Sequence, residues 1–174
     1  MNCMLRRLVA LLPCVPCLAN LSCDTSMVVQ ELPGTVIYSN SFESSADTVG
    51  WITQGALEFR VDVPPGGGTQ SVYVAGGCLA PTAWVDLNPL DQDSRLLLRC
   101  WGKSLVGGGS VMLDRSGEFS QGIQIGIGDS AWTSYASRDT LFCPANIPMR
   151  LSVLSGGIIF NSMLVDRLEI VRVE

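Results

Sequence analysis

The sequence predicts an all-β protein, an antiparallel β-sandwich, and three observations support this fold class. About ten short segments rich in apolar and β-branched residues follow one another at close intervals, as in sandwiches and barrels. Glycine and proline turns separate them, most clearly PPGGG at residues 64–68 and GGG at 107–109. No segment shows the 3.6-residue period of an amphipathic helix, so the crossover helices that a parallel sheet requires have no place in the chain.

Alternation of apolar and polar residues predicts which side chains face the core. In the segment ALEFRVDV, for example, Leu57, Phe59, Val61 and Val63 share one face. We expect strands at residues 35–42, 56–63, 70–75, 83–87, 95–103, 110–114, 121–127, 132–137, 148–154, 158–160 and 163–173.

The first 22 residues have the organisation of a secretory signal peptide. Arg6 and Arg7 precede an apolar stretch over residues 8–18, and small and polar residues follow it. This stretch is too short to span a bilayer. The sequence therefore predicts an exported protein.

Residues 19–23 (ANLSC) resemble a bacterial lipobox, with Ser22 before the cysteine and the leucine one position closer to it than usual. Two outcomes stay open: acylation of Cys23, which anchors the chain to the membrane of the cell envelope, or ordinary cleavage and secretion. Residues 23–34 have little periodicity and are expected to form a tether. Residues 35–174 have the usual size of one domain.

Composition excludes several functions. The chain has no histidine, which removes Ser–His and Cys–His catalysis and histidine-ligated zinc. Without Arg6 and Arg7 it carries nine basic and sixteen acidic residues, a net charge of −7, and it has no basic patch that nucleic acid would need. Acidic residues such as Asp91, Asp93 and Glu118 lie in loops or turns and do not form the facing pair of a glycosidase. We therefore do not expect an enzyme.

Three cysteines remain beyond residue 23, and their positions suggest how they are used. Cys78 and Cys143 lie near loops, which favours a disulfide between them, although three pairings are possible. Cys100 lies within a strand, on the face that points to the core, and we expect it to act as a small buried apolar residue.

Several motifs resemble a known family. YSNSFE at residues 38–43 with Gly50 and Trp51, LLLRCWGKS at 96–104 and LVDRLEIVRV at 164–173 are similar, in order and spacing, to galactose-binding-like jelly rolls, the group that contains many carbohydrate-binding modules. The resemblance implies a structural calcium ion between the first and last strands. Its ligands would be Glu43 and Asp166, with backbone carbonyls of residues 67–69, since calcium accepts several oxygen ligands.

The resemblance also implies a glycan-binding sheet face, where a flat aromatic ring is flanked by hydrogen-bonding side chains. Strand parity selects six residues for such a face: Trp84, Asp86, Arg99, Trp101, Asp114 and Gln124. Gly122 and Gly126 would leave space above it. Trp51 and Trp132 are assigned to the core, where tryptophans of small sandwiches more often lie.

Two functions follow. The first is an exported, non-catalytic glycan-binding module that holds a saccharide on its open sheet face. The alternative is a structural or protein-interaction sandwich of the bacterial cell envelope without a sugar site, because fold alone does not determine function.

Overall fold

The computed structural model describes residues 34–76, 82–115, 118–155 and 161–173, without the side chains of residues 118–120. Strands make up 62% of it and form two antiparallel sheets, which confirms the all-β sandwich. The seven-stranded sheet contains β1 (Gly34–Asn40), β3 (Ala56–Arg60), β4 (Ser71–Ala75), β6 (Ser94–Val106), β9 (Thr133–Ala136), β10 (Leu141–Cys143) and β12 (Ser162–Val173). The five-stranded sheet contains β2 (Ile52–Thr53), β5 (Ala83–Leu87), β7 (Gly109–Arg115), β8 (Glu118–Ile127) and β11 (Met149–Leu154).

The two sheets have different strand orders. The five-stranded sheet runs β2-β5-β11-β7-β8, and the seven-stranded sheet runs β10-β6-β12-β4-β3, with β1 paired to β12 and β9 to β6. The last strand therefore lies at the centre of the larger sheet, between partners from the beginning and the middle of the chain. A short 3-10 helix at Ser45–Thr48 follows β1.

The predicted parity is confirmed where the sheets face each other. Ile123, Ile125 and Ile127 of β8 are buried against the core, as are Leu98 and Cys100 of β6. The sheets approach closely at Gly102, where an added Cβ would lie 2.7 Å from Cδ1 of Ile127. A larger residue at this position would collide with the opposite sheet.

Several predicted elements differ from the structure. The strand expected over 56–63 ends at Arg60, and Val61 is 87% exposed, because the chain turns away to contacts made by Asp62. Strands β2 and β10 are too short to be recognised from alternation. The strand expected at 158–160 lies outside the described residues.

A β-bulge interrupts the last strand and positions Asp166. Asp166 pairs with Trp101, the next paired residue is Glu169 opposite Arg99, and Arg167 between them has a φ of 46°. Positive φ is unusual for a residue with a side chain. The bulge leaves Asp166 on the outward side of the seven-stranded sheet, fully buried.

The predictions for the signal peptide, for Cys23 and for the tether up to residue 33 lie outside the described residues. Within the described part of the chain, no helix has the length and apolar character needed to cross a membrane.

Candidate functional site

The outward surface of the five-stranded sheet, here called the five-stranded face, brings four of the six predicted ligand residues together. Cross-strand pairing aligns one row across it, which consists of Ile52, Trp84, Ser152, Met112 and Gln124. A second row beside it consists of Asp86, Arg150, Asp114 and Gly122. Trp84, Asp86, Asp114 and Gln124 therefore share one surface, as predicted.

Arg150 connects the aromatic and acidic parts of this face. Its guanidinium donates two hydrogen bonds to Asp86, from Nε to Oδ1 at 2.7 Å and from Nη2 to Oδ2 at 3.1 Å. It also lies over the Trp84 ring, 5.4 Å from the centroid, within the range of a cation–π interaction. The hydrogen bond with Asp86 is the main cause that raises the pKa of Arg150, and the charges of Asp86 and Asp114 add to it.

Two residues of the first row each bury a polar side-chain atom. Nε1 of Trp84 and Oγ of Ser152 are both inaccessible to solvent, and neither has a hydrogen-bond partner among the described residues. Trp84 and Ser152 are cross-strand partners. A buried polar group without a protein partner is costly, and an ordered water is one group that can supply the missing hydrogen bond.

Arg150 and Ser152 were not among the predicted site residues. Both lie in the apolar strand MRLSVL, where Leu151 and Val153 face the core and the two polar residues alternate with them. Alternation alone therefore could have placed them on an outward surface.

Arg99 and Trp101 do not join this face, so the prediction that all six residues share one surface is wrong for these two. Both belong to β6 and face outward from the seven-stranded sheet, where Arg99 pairs with Ala136 and Trp101 with Ser134. Each is partly exposed. Parity identifies the face of a strand but not the sheet to which the strand belongs, which long-range pairing decides.

Trp132 is also placed differently from the prediction. It is only partly buried and lies on the outward side of the seven-stranded sheet, where its Nε1 donates to Oδ1 of Asp62 at 2.8 Å. Trp51, by contrast, packs against the core with its ring 5.8 Å from that of Phe42.

A hollow of about 390 Å³ lies beside Asp62 on the same sheet. It is lined by Arg60, Val61, Asp62, Tyr73, Leu105 and Leu164.

The two predicted calcium ligands lie near each other under the loop after β3. Oε2 of Glu43 accepts hydrogen bonds from the backbone N and Oγ1 of Thr69 at 2.7 and 2.8 Å. The bonds from Thr69 lower the pKa of Glu43. Burial raises the pKa of Asp166 to about 6, and the charge of Glu43 adds to this rise.

The remaining oxygens of this pair suit a cation. Oε1 of Glu43 and Oδ2 of Asp166 are buried, and neither has a hydrogen-bond partner among the described residues. The described part of the chain has no group of three or more acidic, cysteine or histidine side chains that could hold a metal. Calcium binds about six to eight oxygen atoms, so Glu43 and Asp166 fit a calcium site only if backbone carbonyls supply further ligands.

The cysteines of the domain are only partly described. Cys100 is buried, and burial raises the pKa of its thiol to about 12. Cys143 is buried, and its Sγ lies 3.7 Å from the carbonyl oxygen of Pro144. Cys78 lies outside the described residues, so its pairing with Cys143 stays a prediction.

Comparison with solved structures shows which proteins share this fold. The CBM22-1 xylan-binding domain of Xyn10C from Paenibacillus barcinonensis matches over 82% of this chain and 97% of its own, with a TM-score of 0.57 and 16% identity. A carbohydrate-binding module of lichenase 5A from Cellvibrio mixtus, solved in complex with cellotriose, matches over 80% of this chain and all of its own, with a TM-score of 0.51 and 17% identity. No protein-family model and no curated protein matches the sequence.

The same fold also occurs in a protein of another kind. The enzymatically active domain of tailspike protein 4 from bacteriophage CBA120 matches over 71% of this chain and 19% of its own, with a TM-score of 0.53 and 12% identity. The fold of the chain is thus the galactose-binding-like jelly roll of carbohydrate-binding modules, as the sequence motifs predicted.

Proposed function

We propose that the protein is a non-catalytic glycan-binding module that holds a saccharide on the five-stranded face. Trp84 supplies an aromatic surface, and Asp86 and Gln124 supply exposed hydrogen-bonding groups. Arg150 extends the polar part of the site, whereas Asp114 and Ser152 are buried beneath this surface. The solved neighbours that carry xylan-binding or cellotriose-bound modules support this role.

The observation that carries the proposal is the partly exposed Trp84 ring beside the ion pair of Arg150 and Asp86 on one outward sheet face. Sugar rings contact aromatic rings through their C–H faces, and their hydroxyls donate and accept hydrogen bonds, so Trp84 and the charged pair can contact the same ligand. The surface beyond the first row is open, since an added Cβ at Gly126 would meet nothing within 4 Å.

Isothermal titration calorimetry with soluble arabinoxylan and hydroxyethylcellulose tests the proposal. The protein is expected to bind at least one of them, and Trp84→Ala should weaken binding at least tenfold. Trp101→Phe is the matched control because this residue lies on the other sheet. A loss with Trp101→Phe but not with Trp84→Ala would contradict the proposed face.

We further propose that calcium binds Glu43 and Asp166 and has a structural role. It would neutralise two nearby carboxylates and join the segment after β1 to the last strand. Their buried oxygens support this assignment. When bound, the ion would supply charge neutralisation and no chemistry.

Export remains part of the proposal and is supported by the Arg6–Arg7 pair before an apolar stretch. Mass spectrometry of the mature N-terminus distinguishes acylation at Cys23 from simple cleavage. An N-terminus that begins upstream of the apolar stretch would contradict export.

A second candidate is a protein-interaction sandwich of the cell envelope. It is favoured by the hollow beside Tyr73 and Leu164, which is bordered by the exposed apolar side chains of Val61 and Leu105. Binding of an envelope protein that is lost on Val61→Asp, in a protein that binds no glycan, would support this function over the first.

A further inference from the structure

The proposed glycan-binding role leaves open which class of sugar the five-stranded face accepts, and its charged side chains bear on this question. Asp86 and Asp114 lie on either side of Arg150 in one cross-strand row. Among the described residues that point outward on this face, Arg150 is the one cation. Two carboxyl groups therefore flank a single guanidinium.

The guanidinium is already engaged. Asp86 binds it through two hydrogen bonds at 2.7 and 3.1 Å, the forked geometry that makes arginine a good partner for carboxylates. The Arg150 side chain is 29% exposed, whereas that of Asp86 is 56% exposed and borders the solvent. A uronic acid that approached Arg150 would meet the carboxylate of Asp86 first.

Asp114 adds to this effect. It is fully buried, and on strand β7 it is the cross-strand neighbour of Arg150, on the side opposite Asp86. A ligand carboxylate that displaced Asp86 would still compete with Asp114, which already acts electrostatically on Arg150. The row therefore offers poor electrostatic compensation to an anionic sugar and no such penalty to an uncharged one.

We infer that the face selects uncharged glycans over uronic-acid-containing ones, and that Asp86 determines this selection by occupying Arg150; the inference rests on the proposed function. Asp86 is a positioning residue. It holds the guanidinium over the Trp84 ring and keeps it from ligand carboxylates.

The opposite sheet offers a matched control for this arrangement. There Glu58 binds Arg60 at 2.6 Å, and Arg60 lies over the Tyr73 ring, 4.6 Å from its centroid. Glu58 and Arg60 are about equally exposed, at 55% and 50%. Glu58→Gln removes the same charge from the same kind of cluster without touching the proposed site.

The test uses two polymers with the same backbone: hydroxyethylcellulose, which is neutral, and carboxymethylcellulose, which is anionic. Affinity electrophoresis of the wild type should show binding to the neutral polymer at least tenfold tighter than to the anionic one. Asp86→Asn should raise affinity for carboxymethylcellulose about three- to tenfold, since it frees Arg150 for a ligand carboxylate. This gain should decrease with added salt.

Two further variants separate the specific effect from a general change of charge. Asp86→Asn combined with Arg150→Met should lose the gain, and Glu58→Gln should show none. Wild-type binding to the anionic polymer that equals or exceeds binding to the neutral one would overturn the inference and leave the glycan-binding role intact. Failure of the wild type to bind any of arabinoxylan, hydroxyethylcellulose and carboxymethylcellulose would overturn both.

Discussion

Oδ1 of Asp62 accepts a hydrogen bond of 2.8 Å from Nε1 of Trp132, which lies 70 residues further along the chain. Its Oδ2 accepts another from Nζ of Lys103 at 2.6 Å, and its backbone oxygen accepts one from Oγ of Ser71 at 2.6 Å. These bonds hold the segment after β3 across the outward surface of the seven-stranded sheet. The bond from Lys103 is the main cause that lowers the pKa of Asp62, against the opposing effect of desolvation.

We expect Asp62→Asn to destabilise the protein in a pH-dependent way. A carboxyl whose pKa is lower in the folded state contributes stability above its unfolded pKa, and this is lost as the pH falls through the folded value. At pH 7 the variant should lose about 1 kcal/mol of unfolding free energy, the upper end of what an ion pair at a partly exposed site contributes. Near pH 2 the variant and the wild type should converge.

Urea unfolding at pH 7, 4 and 2 measures this difference. Glu58→Gln is the control, because its ion pair with Arg60 is exposed and should contribute no more than about 0.5 kcal/mol. Equal losses in both variants, or a loss for Asp62→Asn that does not change with pH, would contradict the proposed role of Asp62.

Calcium should raise the melting temperature of the wild type, and a chelator should lower it. Ligand binding to the folded state alone stabilises it by mass action, so the shift should grow with calcium concentration. Asp166→Asn should abolish the shift, because the amide has one oxygen and no charge. In the presence of chelator the same variant should be as stable as the wild type or more so, since it removes a buried carboxyl beside Glu43.

Differential scanning calorimetry with calcium chloride or EGTA makes this comparison, with Glu58→Gln as a carboxylate control on an exposed surface. A wild-type melting temperature that is the same in both solutions would exclude a structural calcium ion at Glu43 and Asp166. If calcium still raises the melting temperature of Asp166→Asn, the ion binds at another site.

The sequence predicts more of the fold than of the site. Strand β5 has the predicted bounds of Ala83–Leu87, because alternation and flanking turns are local signals that can be read directly. The sequence could not show that Trp84 and Trp101 lie on different sheets, because this depends on pairings between segments that are distant in the chain. For the same reason Trp132 was misassigned, since its partner Asp62 is remote in sequence.

Cys100 should be unreactive in the native protein. Burial raises the pKa of its thiol to about 12, so almost no thiolate exists at pH 8, and the side chain is inaccessible in the core. Ellman's reagent should modify Cys100 only after unfolding in urea. Peptide mapping without reductant then shows whether Cys78 is linked to Cys143; fast labelling of Cys100 in the native state would contradict its place in the core.

Two glycines should separate stability from ligand binding. An added Cβ at Gly102 would lie 2.7 to 3.0 Å from three atoms of Ile127 in the core, so Gly102→Ala should cost about 1–3 kcal/mol of unfolding free energy. At Gly126 an added Cβ would meet nothing within 4 Å, and the residue lies outward on β8 beside Gln124. Gly126→Leu should therefore leave stability nearly unchanged.

Binding should show the opposite pattern. If a glycan lies along the five-stranded face, Leu at position 126 occupies the space above β8 and should weaken binding of the neutral polymer several-fold. Gly102→Ala should bind normally at temperatures where it is folded. Calorimetric titration of both variants, after their folding is checked by circular dichroism, measures the two effects; unchanged affinity in Gly126→Leu would restrict the ligand to the part of the face around Trp84 and Arg150.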